Sequence, residues 1–255
     1  MNTSFDKIYV ISLITNKDRQ KFIKTQLDEL GLDFEFIYGI DYYKFRSVEW
    51  PNVYPGDSGN TNGMAGSFGC AIGHYAAVMQ AYHLGYKNVL ILEDDVCLRT
   101  DKDLLSDVLN NIPSDADFVT FDPRFGEIDE QNAMIDIING SKGRYAKIDN
   151  VNGMFGGAMY GILNRDAMFK YMLNQQKQIL SADNVIGFFR DPVVRRYVSR
   201  ECLFVDQFTY NKWFISENKD FAFGYDNLYL RCGSYKKTDF FWPDKVKYNF
   251  FSRYK

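Results

Sequence analysis

What this 255-residue chain has little of already narrows its function. It has four cysteines, Cys70, Cys97, Cys202 and Cys232, which lie far apart and form no CxxC pair. That spacing suggests neither a zinc site nor a redox motif, and the four read as reduced, buried thiols. No apolar run is long: near the N-terminus the best is only about six residues (IYVISL), too short for a signal peptide or a membrane span. The expectation is a soluble protein of a reducing compartment, the cytoplasm. Charge of one sign is not in excess, since 30 Lys and Arg face 33 Asp and Glu for a net −3; no global field for nucleic acid exists. A GxxxxGK[ST] loop is absent, as is a GxGxxG between strand and helix, which weakens ATP and dinucleotide binding as functions. There is no internal repeat and no low-complexity tract.

What is present is globular usage with a heavy aromatic load, 22 Phe and 18 Tyr. Rings fill a bulky core, and they also stack on sugars and bases. Residues 8–13 (IYVISL) form a nearly continuous apolar run, the pattern of a strand covered on both faces. Residues 16–30 carry Phe22, Ile23, Leu27 and Leu30 at helical spacing with Gly31 where a helix ends, and 34–40 (FEFIYGI) read as a second strand. Strand, helix and strand in this order make a βαβ unit with a right-handed crossover.

Residues 51–69, with two prolines and many Gly, Ser and Asn, read as a long loop. Residues 70–84 return to helical spacing, with Ile72, Tyr75, Ala76, Met79 and Tyr82 on one stripe and Cys70, Ala77 and Ala81 opposite. Strands are expected at 88–96, 117–121 and 155–163, and helices at 104–112 and 165–180. Residues 181–205 read as irregular and Arg-rich. The resulting fold class is α/β, a mixed, mostly parallel sheet flanked by helices, in one domain spanning 1–234. Residues 235–255 form an extension with six Lys and Arg, two Asp and eight aromatic residues. Such an extension sits at a membrane interface or packs its rings on the body.

The strongest local signal is VLILEDDV at 89–96. Ligand crevices of open α/β sheets lie off the carboxyl ends of the strands, and acids delivered there by an apolar strand require neutralisation. A divalent cation supplies it, and oxygen ligands favour Mg²⁺ or Mn²⁺. On an extended backbone Glu93 and Asp95 share one side and Asp94 faces the other. The same acids at a plain strand end would cap a helix or pair with Lys and Arg.

Taken together, the segments IYVISLITNKDR (8–19), FEFIYGID (34–41), GSFGCAIGH (66–74), VLILEDDV (89–96) and GGAMYGILNRDAM (156–168) resemble glycosyltransferase family 25, which includes bacterial lipooligosaccharide galactosyltransferases and collagen galactosyltransferase domains. FVDQFTYNKWF (204–214) and FAFGY (221–225) are weaker matches. Two departures stand out: Gly73 where the family normally has serine, and Ser67 where it often has an acid.

The resemblance implies a GT-A type, Rossmann-like fold and a metal-assisted, inverting transfer of a hexose, galactose most commonly, from a UDP-sugar. The acceptor would be a hydroxyl of a glycan, a lipid-linked glycan or a protein. Asp95 would hold the Mn²⁺ or Mg²⁺, Glu93 would support the metal or the donor ribose, and Asp94 would face sugar hydroxyls. Asp206 would be the base, with Asp183 in reserve; the alternative for Asp206 is a helix N-cap. Ile11, Ser12 and Leu13 would line the nucleotide. Arg19 would contact phosphate or simply start a helix at the surface, and Asp41 would bond uracil or ribose or serve as a turn residue. Gly156 and Gly157 would let backbone approach the sugar or form a bulge. His74 belongs with the donor site or packs within its helix, whereas His83 is structural. A different class, a nucleotide-sugar or glycan-binding module that has lost transfer, would keep the same fold.

Overall fold

A computed structural model describes residues 5–41, 61–98, 101–121, 143–148, 161–177, 193–199 and 203–206. The segments 42–60, 149–160, 178–192 and 207–255 therefore lie outside the described residues, and with them Gly156, Gly157, Asp183 and the extension at 235–255.

The first strand, β1 (Lys7–Leu13), leads into helix α1 (Lys17–Leu30) and strand β2 (Glu35–Gly39). The helix stops where the sequence places its end: Gly31 takes φ 68°, a left-handed conformation that glycine adopts without a Cβ penalty. Next come α2 (Thr61–His83), β3 (Asn88–Glu93), β4 (Val96–Leu98), α3 (Lys102–Asn110) and β5 (Phe118–Thr120). The described chain continues with β6 (Tyr145–Lys147), β7 (Gly161–Asn164), α4 (Arg165–Lys177), β8 (Arg196–Ser199) and β9 (Phe204–Asp206). Asp101 caps α3, its side chain accepting from Leu104 N–H at 2.8 Å.

Seven strands form one sheet in the order β2-β1-β3-β7-β5-β8-β6, and β4 pairs with β9 in a separate two-stranded sheet. β2, β1, β3, β5 and β8 share one direction, while β7 and β6 run against it. The sheet is thus mixed with one dominant direction, as expected. Because β2 lies on one side of β1 and β3 on the other, both parallel to it, the winding reverses between β1 and β3. That switch point is where α/β sheets open a crevice at their carboxyl ends.

Side-chain alternation divides the core into two layers. Tyr9, Ile11, Val89 and Ile91 pack on one face with Ala77, Val78, Ala81, Met168 and Tyr171 of α2 and α4. Ile8, Val10, Leu90 and Leu92 pack on the other with Ile23, Leu27, Leu105 and Val108 of α1 and α3. A sheet covered on both faces explains why β1 and β3 read as continuous apolar runs.

Three expectations are corrected. Helix α2 begins at Thr61, inside the stretch read as loop, so the glycines of 61–69 are helical there. The face of α2 that meets the sheet is the small one, with Gly73, Ala77 and Ala81 buried, whereas Met79 is exposed and Tyr82 stacks on the exposed Phe169 of α4. Small residues let the helix axis approach the sheet closely, and that close approach, not bulk, decides the buried side. Finally, the Arg-rich 181–205 stretch contains β8 and the start of β9. Val194, Arg196 and Val198 alternate into the core there, and the arginines mask the apolar period.

Asp117 ties three strands together. Its carboxylate accepts from the backbone N–H (2.9 Å), Nε (3.1 Å) and Nη2 (2.8 Å) of Arg195, and from Asn164 Nδ2 (2.8 Å). Burial works against its ionisation, but the Arg195 and Asn164 donors outweigh burial and hold the carboxyl below its ordinary value. Replacing it leaves the Arg195 N–H and Asn164 without their acceptor, so Asp117→Ala is expected to destabilise by about 2–3 kcal/mol in urea unfolding at pH 7. Since the folded-state value is depressed, this contribution is full above the unfolded aspartate value near 3.9 and fades as pH falls toward the lower folded value. Wild type and variant should therefore converge in acid; a gap unchanged by acid would contradict the ionic role.

Candidate active site at the ends of β1 and β3

The alternation that builds the core also aims the polar residues at the switch point. On β1, Ile8 and Val10 face α1, so Ser12 does too. Its Oγ donates to Asp94 Oδ2 at 2.6 Å and receives Gln20 Nε2 at 3.3 Å. Gln20 also donates to the Leu13 carbonyl at 2.7 Å. The Asp94 N–H bonds the Ile11 carbonyl at 3.0 Å, closing the gap between the two strand ends. Ile11 and Ser12 are buried and Leu13 is half-buried.

On β3, Val89 and Ile91 face α2, so Glu93 does as well. Its Oε1 lies 2.8 Å from His74 Nε2 and 3.1 Å from Cys70 Sγ, both one turn apart on α2. The three ligand-type atoms lie within 4.8 Å of one another. His74 is fully buried and its Nδ1 has no hydrogen-bond partner. Gly73 makes this approach possible, because a Cβ there would stand 2.6 Å from Ile11 Cγ2. Serine at 73 would not fit without displacing that neighbour, which gives the Gly73 departure a packing reason.

Glu93 and Asp95 do not share a side. The strand ends at Glu93, and residues 94 and 95 form a turn that breaks the period-two alternation. Asp95 therefore joins Asp94 on the α1 side, where Arg19 Nη1 lies 3.2 Å from Asp94 Oδ1 and 3.2 Å from Asp95 Oδ2. Asn16 Nδ2 reaches Asp94 at a long 3.5 Å. Burial pushes the Asp94 carboxyl above its ordinary value despite Ser12 and Arg19. Burial also opposes ionisation of Glu93, but His74, the Cys70 thiol and Arg19 prevail and hold it below.

Helix α1 fixes the far side of the turn. The buried Gln26 donates to the Val96 carbonyl at 3.1 Å and accepts from the Leu98 N–H at 2.8 Å, bonding the β4 backbone. Opposite β4, Asp206 is the register partner of Val96, one residue beyond the acid turn. It occupies a strand, not a helix N-cap. Asp41 follows β2, half-buried, and His83 ends α2 exposed, its ring edge-on to Tyr82.

The structure thus brings together Ser12, Arg19, Asp94 and Asp95 on one side and His74 and Glu93 on the other. Gln20, Gln26 and Cys70 escaped notice in the sequence, although Cys-x₃-His, one helical turn, was a readable signal. The Asp94 and Asp95 carboxylates already converge on one cationic atom, the Arg19 Nη1. A divalent cation needs the same convergence of hard oxygens, so the acid turn fits one.

Residues 5–186 match the family model of glycosyltransferase family 25, described as LPS biosynthesis protein. No curated protein matches the chain. Among the described residues no helix is long and apolar enough to cross a membrane.

Proposed function

From the premise that the chain belongs to glycosyltransferase family 25, a family tied to LPS biosynthesis, and is a glycosyltransferase, we propose that it moves a hexose, preferably galactose, from a UDP-sugar to an acceptor hydroxyl with inversion. The fold would be of GT-A type, and the acceptor a glycan, a lipid-linked glycan or a protein. The observation that carries this is the paired Asp94 and Asp95 at the β1/β3 switch point, converging on one cationic group.

In this proposal Asp95 holds a Mn²⁺ or Mg²⁺ ion, with Asp94 beside it and Glu93 on the donor ribose. When bound, that ion supplies Lewis-acid stabilisation of the departing diphosphate. The ends of β1, at Ile11, Ser12 and Leu13, receive the nucleotide, with Asp41 at the neighbouring strand end. Asp206 accepts the proton of the acceptor hydroxyl as its oxygen bonds the anomeric carbon and the bond to the UDP oxygen breaks. Asp183 is the reserve base, Gly156 and Gly157 are sites of backbone approach to the sugar, and His74 orients Glu93.

The test is product stereochemistry: incubation with UDP-galactose and a glycan acceptor array, followed by NMR of the product. A β-linked product from the α-linked donor supports inversion. An α-linked product, or UDP binding without transfer of any sugar, would replace this function with a retaining enzyme or a binding module.

Arg19 has two partners to choose between. Pairing with Asp94 and Asp95 competes with a metal, and donating to the donor diphosphate aids binding. Arg19→Ala is expected to tighten Mn²⁺ roughly threefold while raising the donor KM about tenfold. Calorimetry with Mn²⁺ alone and steady-state kinetics check the opposite signs; a change of both in one direction would refute the exchange.

The basic aromatic stretch 235–255 is proposed to meet a membrane surface or a lipid-linked acceptor, which places the enzyme in the cytoplasm, peripheral to a membrane. Its deletion should weaken sedimentation with anionic vesicles and leave UDP affinity unchanged. Equal loss of both would assign the stretch to the body of the enzyme.

A further inference from the structure

We infer that Cys70, His74 and Glu93 form a second metal site, for a thiophilic divalent cation such as Zn²⁺, separate from the hard-oxygen pair Asp94 and Asp95. Cys70 and His74 lie one turn apart on α2, and Glu93 comes from the end of β3, a helix and a strand each held by the core. Their ligand atoms lie within 4.8 Å of one another, with Oε1 of Glu93 2.8 Å from Nε2 and 3.1 Å from Sγ. Bonds of about 2.0–2.3 Å in a tetrahedral Zn²⁺ shell put ligand atoms about 3.3–3.6 Å apart. Side-chain shifts of about half an ångström meet that requirement.

The chemistry of the trio agrees with that ion. Thiolate, imidazole and one carboxylate form a borderline-soft set that prefers Zn²⁺ to Mn²⁺ or Mg²⁺, whereas Asp94 and Asp95 offer oxygen alone. Without metal, the contacts among the three rest on protons donated to Oε1 from the thiol and the ring. A dication replaces those protons: the Sγ–Zn bond forms as the thiol proton leaves to solvent. His74 is fully buried with Nδ1 unpartnered. An apolar side chain would fill that space with no unmet nitrogen, so packing alone does not account for an imidazole there. Nε2 is the ring atom that faces the other two ligands. Glu93, about one quarter exposed, leaves an edge through which an ion and a water as fourth ligand can enter.

The test uses the full chain, purified reduced and metal-free, with Co²⁺ as the optical probe and Zn²⁺ for X-ray absorption. Wild type should bind one Co²⁺ with a thiolate-to-cobalt charge-transfer band that Zn²⁺ bleaches. The band should be lost in Cys70→Ser, checked as folded by circular dichroism, and kept in Asp95→Ala. Zinc X-ray absorption of the wild type, which needs no variant to fold, should show one sulfur scatterer with nitrogen or oxygen neighbours. Absence of a thiolate band and of a sulfur scatterer in wild type would overturn the site. So would a band that survives in folded Cys70→Ser, which would assign it to Cys97, Cys202 or Cys232, or one that vanishes in Asp95→Ala. None of these readouts depends on sugar transfer, so they stand whether or not the donor assignment does.

Discussion

Asp95→Ala is expected to lower kcat/KM for sugar transfer roughly 10³-fold, the loss of about 4 kcal/mol of transition-state stabilisation at the leaving diphosphate. The fold should tolerate the change. Asp95 lies in a turn after β3 with its carboxylate one quarter exposed, and the backbone around it is held by Gln26 and by the Asp94 N–H. Asp94 is a poorer test of metal binding, since it also receives the Ser12 hydroxyl and its loss would loosen the strand ends. Melting temperature and donor kinetics, measured together, separate the two effects. A variant with the wild-type melting temperature and wild-type turnover would remove Asp95 from the metal.

Asp206→Asn should lower kcat roughly 10²–10⁴-fold, the range for loss of a general base, with donor KM little changed. The amide is nearly isosteric but cannot take a proton. The observation behind the choice is a backbone one: Asp206 is the register partner of Val96, so it sits across one strand spacing from the acid turn. A binding role would instead raise KM and spare kcat. Donor hydrolysis by water provides a second check, because it too needs a base and should fall in parallel. If kcat survives in Asp206→Asn, Asp183→Asn is the next variant to measure.

Much of this site could be read from residue order. Period two in IYVISL and VLIL, period 3.6 in α1 and a glycine at position 31 locate β1, β3 and α1, and hence the crevice at their carboxyl ends. The side-chain directions of Ser12 and Glu93 follow from the same alternation. It fails one residue later, where the backbone turns at Asp94, and no local pattern announces a turn between two acids. The partnership of Glu93 with His74 spans 19 residues and depends on how closely α2 approaches β1, which Gly73 sets through its contact with Ile11. Glycine and small residues there look like loop in a sequence and pack like a helix against a sheet. Arg195 and Arg196 likewise hid β8, because burial of an arginine and pairing of the other with Asp117 are tertiary facts.

The claim that metal-assisted sugar transfer occurs at the acid turn is tested most directly by one rate: UDP release from UDP-galactose by the purified chain, measured with Mn²⁺, after EDTA, and after Mn²⁺ is restored. The expected result is turnover that falls to background with EDTA and returns with the metal in wild type but not in Asp95→Ala. Turnover that persists undiminished in EDTA, or returns in Asp95→Ala as in wild type, would contradict it.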